Sequence, residues 1–179
     1  EESSTPGYWS NNFRTFEITR ESLNVVEVVH GVVKTLAGRV QNEGAELLVI
    51  LSEELPHVLA DRVILRQILL SLLNYVLHLR SEGDVAISAE VYAGQVALWI
   101  QFQVDDLSPF RTAEVKASLE SAHYWAGRLD ATLQEIHPPG EQAGSARLIL
   151  SLPRAGRSVV LVVDDQEPAI HMFRRYLSR

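Results

Sequence analysis

Cysteine is absent from the 179 residues, which excludes disulfides and thiolate metal centres and fits a reducing compartment. Clusters of Lys and Arg are absent too. With 16 basic against 23 acidic residues the net charge is −7, so nucleic acid is not an expected partner. No signal peptide opens the chain, and no uninterrupted apolar run approaches the roughly 20 residues of a membrane span, so no membrane contact is expected of this segment. Glu1 is not a natural start, so a membrane-anchored parent is compatible with a cytoplasmic location for this stretch. His30, His57, His78, His123, His137 and His171 show no metal-ligand spacing and no acid partner in sequence, and read as satisfied surface or core side chains. What is present is ordinary for a globular chain with a real core: 46% hydrophobic and 22% charged residues. The length suits one full domain and a fragment of a second.

Residues 1–12 mix acids, Ser, Pro, Gly and Asn and read as a linker. "FRTFEITR" (13–20) alternates like a short strand. Val26, Val29, Val33, Leu36 and Val40 then repeat at helical spacing up to Gly44, and "AELLVIL" (45–51) reads as a buried strand. "DRVILRQILLSLLNYVLHLR" (61–80) is the most regular helix, with Leu65, Ile68, Leu69, Leu72, Leu73 and Val76 on a broad apolar face. Residues 85–104 form two alternating runs around Ala93-Gly94, a hairpin. A shorter helix over 111–127 closes at Gly127, and strands "RLDATLQEIH" and "SARLILSLP" follow. The sum is an α+β two-layer sandwich, with antiparallel strands and helices on one face. After a linker at 154–157, "SVVLVVDD" is a wholly apolar strand ending in two carboxylates, and "EPAIHMFRRYLSR" starts a helix, the βα opening of a parallel sheet.

The order of elements over 13–153 resembles the ATP-binding domain of sensor histidine kinases, of the Bergerat type shared with DNA gyrase. "LPHVLADRVILRQILLSLLNYV" is similar to the family's "lp-x-v-x-x-D-x-x-x-L-x-Q-V-L-x-N-L-L-x-N-A", with Pro56, Asp61, Leu65, Gln67, Ile68, Leu69, Leu72 and Leu73 in register. "AGRLDATLQEIHPPGEQAGSARLILSLP" is similar to the terminal family pattern at Gly127, Gly144, Ser145 and Pro153. The resemblance implies ATP and Mg²⁺ as family ligands. It also places the two Asn of the family's helix at Ser71 and Tyr75, the second being the Mg²⁺ ligand. A hard cation needs oxygen donors in near-octahedral geometry, and a phenol is a poor substitute for the amide. Asn74 lies one residue off, rotated by about 100°. Asp105 keeps the carboxylate of the family's adenine-binding "D-x-G-x-G", but Leu107 and Pro109 replace both glycines. Only about twenty residues separate Asp105 from Gly127, too few for the family's lid and helix together. Counting back from Gly127 puts Glu114-Val115 where the family has the Gly-Leu of its phosphate turn.

The tail resembles the start of a flavodoxin-like receiver domain, whose paired acids at the first strand end bind Mg²⁺. Asp164 and Asp165 match that pair, and the rest of that site would lie beyond residue 179. Together the resemblances imply a hybrid two-component protein. Its kinase-like domain has lost catalytic residues and is expected to hold no cofactor. It would dock or regulate histidine kinase or receiver domains, with a homodimer also compatible. The alternative is a divergent but active ATP-binding kinase that uses Asp105 and Asn74. On the first reading, the Tyr75 ring fills part of the former nucleotide cavity.

Overall fold

A computed structural model describes residues 17–81, 83–105, 113–138, 143–156 and 171–173. The elements run β1 (Glu21–Leu23), α1 (Val25–Asn42), β2 (Leu47–Ile50), β3 (Val58–Ala60), α2 (Arg62–Leu79), β4 (Val85–Tyr92), β5 (Gln95–Val104), α3 (Ala113–Arg128), β6 (Thr132–Ile136) and β7 (Gly144–Pro153). Five strands form one sheet in the order β2-β4-β5-β7-β6, and β1 pairs with β3 in a separate two-stranded sheet. The pairs β4–β5, β5–β7 and β6–β7 are antiparallel, as the sequence implies. β2 runs parallel to β4, which corrects the expectation of antiparallel strands throughout.

Each helix has a local cause. Asn24 caps α1 by accepting from Val26 N at 2.9 Å. Val25, Val29, Val32, Leu36 and Val40 are buried along one stripe, so packing overrides the weak helix propensity of valine. Asp61 caps α2 through Oδ1, which accepts from Val63 N at 2.9 Å and Ile64 N at 3.1 Å. Its Oδ2 accepts from Thr19 N at 3.0 Å. Ten residues of α2 are buried, among them Leu65, Ile68, Leu72 and Val76.

The sheet is two-faced by simple alternation. On β5, Val96, Leu98, Ile100, Phe102 and Val104 are buried under the helices; on β7, Ala146, Leu148, Leu150 and Leu152 join them in one core. Leu98 sits opposite Leu150, and Ile100 opposite Leu148. Trp99, Gln101 and Gln103 face the other way, and the Arg147 guanidinium lies 4.9 Å from the centre of the Trp99 ring. The small β1–β3 sheet is tied to the end of β7 by Ala155 N donating to His57 O at 2.8 Å.

Several sequence expectations are corrected. Residues 17–20 are irregular, and among the described residues the first strand begins at Glu21. Arg20 is committed elsewhere: it pairs with Asp130 and donates to Arg128 O. Residues 13–16 lie outside the described residues. β2 is a half-exposed edge strand, not a buried one, with Ile50 66% exposed. The three-residue β3 is legible only through its pairing with β1. α3 runs through Gly127 to Arg128, and the left-handed residue after it is Asp130, φ 54°. Among the described residues one helix, α2, is long and apolar enough to cross a membrane by length and composition, with mean hydropathy 1.3. More than half of it is buried in the fold, so that apolarity belongs to the core.

Candidate functional site

α2 presents different residues to three neighbours. Its sheet-facing side carries Leu65, Ile68, Leu72 and Val76. Tyr75 is buried, 4% exposed, and its hydroxyl donates to Glu135 Oε2 at 3.3 Å. Glu135 stands on β6 opposite Leu148, in the same strand phase as Leu133, so it points into the helical layer. Two histidines approach the same carboxylate: His123 Nε2 of α3 lies 3.5 Å from Oε1, and His137 Nε2 lies 3.3 Å from Oε2. A carboxylate in the core-facing phase of a strand is thus met by a hydroxyl donor from α2 and approached by histidines from α3 and from just past β6. His137 has an acid two residues before it in sequence, which corrects the expectation for that residue, whereas the partner of His123 is brought to it only by the fold.

Burial, the nearby Glu135 charge and the bond to it together push the Tyr75 pKa well above the ordinary tyrosine value. Tyr75 therefore holds its proton at neutral pH and directs it at Glu135. Ser71 lies one turn earlier on α2 and is half-buried. Asn74 faces α1 instead. Its Oδ1 accepts from Arg39 Nη1 at 2.7 Å, and the same guanidinium reaches Glu43 Oε1 at 2.7 Å and His78 Nδ1 at 2.8 Å. Since Arg donates only, that His78 nitrogen is the acceptor. Asn74 is a strut between α1 and α2.

Asp105 is exposed at the end of β5. It lines an open depression with Leu77, Arg80, Ser81 and Gly83, and a second beside Gln103 and Gly144. Arg80 is held by backbone oxygens of Glu43, Ser81 and Gly83, at 2.6, 2.9 and 3.1 Å. The fold therefore groups Asp105 with the C-terminal end of α2, Tyr75 with Glu135, and Asn74 with Arg39. Leu107, Pro109, Asp164 and Asp165 lie outside the described residues, and Glu114 and Val115 are described only as backbone of α3. Among the described residues no group of three or more His, Cys, Asp or Glu is placed to hold a metal ion.

Sequence reasoning missed Glu135, His123 and Arg39 as partners of the α2 polar residues. Glu135 had a signal: a charged residue in phase with Leu133 on an alternating strand. Arg39 had none, since its role depends on how two helices pack.

Among the described residues, the arrangement of α1, α2 and α3 on a five-stranded sheet is the fold of histidine kinase catalytic domains. The chain is similar to Acinetobacter baumannii histidine kinase AdeS, with 18% identity and a TM-score of 0.65 over 79% of this chain and 70% of that one. It is similar to full-length ShkA, solved in complex with AMPPNP, with 20% identity and a TM-score of 0.67 over 82% of this chain and 33% of that one. The catalytic domain of histidine kinase ThkA, in a nucleotide-free form, aligns with 16% identity and a TM-score of 0.61 over 78% of this chain and 97% of that domain. No protein-family model matches the sequence, and no curated protein does.

Proposed function

We propose that this domain is a docking and regulatory module of two-component signalling that keeps the histidine kinase ATPase fold and has lost nucleotide binding. The observation that carries the reading is Tyr75. At the position where the family resemblance implies the Mg²⁺-binding amide, the chain has a buried phenol whose proton is directed at Glu135. A hard cation there would need an oxygen donor free to enter its shell. Asn74, the nearest amide, has its oxygen on Arg39. Ser71 supplies only a hydroxyl at the other implied position. These residues do not make an Mg²⁺ set.

The rival reading is a divergent, active ATP-binding kinase domain. It draws on Asp105, which is exposed beside open depressions, and on the AMPPNP bound to ShkA. Calorimetric titration with ATP and Mg²⁺ separates the two. The expected result is no saturable heat up to millimolar ATP, and micromolar binding would overturn the degenerate-site reading. In the same reading Asp164 and Asp165 open a receiver domain, and the partners are histidine kinase or receiver domains. A chain extended by about a hundred residues, the usual scale of one domain, should take up label from acetyl phosphate. No labelling would count against the receiver.

A further inference from the structure

Among the described residues, β2 is an unguarded end of the main sheet. Among the described residues it pairs with β4 alone, so roughly half of its backbone N–H and C=O groups face away from the sheet. Natural edges are usually blunted by charges, Pro or a bulge. β2 reads Leu47-Leu48-Val49-Ile50 and has none of these. Leu48 is 39% exposed and Ile50 66% exposed. The opposite edge is different: β6 carries Thr132, Gln134 and Glu135 and is followed by His137 and Pro138.

The apolar surface continues inward from β2. Leu48 pairs with Ala86, and Ile50 with Ser88, on the sheet face turned away from the helices. The next residue across from Ser88 is the half-buried Trp99, and beyond it Ile149 is buried, so the accessible apolar strip ends at Trp99. An added strand would therefore find both a hydrogen-bonding edge and apolar side chains beside it.

Charge selects the occupant. Exposed Glu46 precedes β2, and exposed Glu53 and Glu54 follow it. Two copies pairing β2 to β2 about a two-fold axis would run antiparallel and gather Glu46 of one copy and Glu53 and Glu54 of the other at the same end of the joined strands. Like charges there oppose self-pairing. We propose that β2 accepts an extended segment of a protein partner, with alternating apolar residues and basic flanks, as an added strand. This deepens the docking part of the proposed function. Its failure would leave the loss of nucleotide binding untouched, because the ATP titration reads that separately.

The test uses the whole chain and a fluorescent peptide, Lys-Lys-Val-Thr-Val-Thr-Val-Lys-Lys, followed by anisotropy. Saturable binding is expected. Exchanging the lysines for glutamates should weaken it about tenfold or more. Ile50→Lys should weaken it about fivefold or more, by removing apolar contact and adding repulsion. Ile50 is mostly exposed, so the variant should keep the parental urea midpoint. Absence of saturable binding, or equal binding by the Ile50→Lys chain, would overturn the proposal. So would sedimentation showing a dimer that Ile50→Lys dissolves, since a second copy would then be the occupant.

Discussion

The ring and the hydroxyl of Tyr75 do separate work. The ring is packed in the core, and the hydroxyl gives Glu135 one of its donors. Tyr75→Phe keeps the first and removes the second, and is expected to cost about 1 kcal/mol in urea unfolding, the ordinary worth of one hydrogen bond. The pH dependence should change with it. The folded protein holds the Tyr75 proton more tightly than the unfolded chain does. That contribution is therefore complete below the unfolded tyrosine pKa of about 10 and is lost as pH rises beyond it. Urea midpoints measured at successive alkaline pH values should fall, and fall less steeply in Tyr75→Phe. Equal slopes would show that Tyr75 does not carry the effect. Asn74 makes a different kind of contact, one bond to the partly exposed Arg39. Asn74→Ala should cost about 1 kcal/mol and leave any ATP response unchanged. A loss of ATP affinity in this variant would favour the rival reading, in which Asn74 serves the nucleotide.

At the scale of elements, the β4–β5 hairpin combines a legible feature with a local flaw. Its two turn residues, Ala93 and Gly94, have φ of 48° and 79°, the sign that two-residue hairpins of this type require at both positions. Gly94 accepts this freely. Ala93 does not, because its Cβ crowds the backbone in the left-handed region at a cost of roughly 1–2 kcal/mol. Ala93→Asn creates the Asn-Gly turn favoured there and should stabilise the protein by about 0.5–1 kcal/mol, read as a raised urea midpoint. A lowered midpoint would mean that the hairpin gains nothing from the preferred turn chemistry. The elements readable from sequence share a strong local signal. α2 has an Asp cap and a sustained apolar face, and β4 and β5 alternate over long runs. β2 is not separable in sequence from a buried strand, because a short apolar run looks alike at the centre and at the edge of a sheet. β3 was missed because three residues carry no period. The end of α3 is not legible from Gly127, a usual terminator, because Arg128 is still in the helix and the left-handed residue is Asp130.

For the whole molecule, the sequence order of elements carries the architecture, and the candidate site depends on proximity that no local pattern encodes. Asp105 and Tyr75 belong to one ligand site in the family resemblance, with Asn74 one residue off it, yet here each has a different set of neighbours. Glu135 reaches Tyr75 across 60 positions of sequence, and Arg39 reaches Asn74 across 35. Those contacts follow from how α1, α2, α3 and β6 pack. A bound nucleotide would have to act on this packed state, and the consequence is measurable without identifying the bound atoms. A ligand that binds only the folded chain stabilises it by about 2.7 kcal/mol at a hundred times its dissociation constant. For a chain of this size each kcal/mol raises the melting temperature by about 2–4 °C, so such binding would add about 5–10 °C. With Tyr75 directing its proton at Glu135, Mg²⁺ and millimolar ATP are expected to leave the thermal midpoint where it is, within about 1 °C, in both the parental chain and Asn74→Ala. A concentration-dependent rise of several degrees in the parental chain would show that the fold still holds nucleotide. If Asn74→Ala then abolished that rise while keeping its own midpoint, the amide would be serving the ligand rather than bracing α1 against α2.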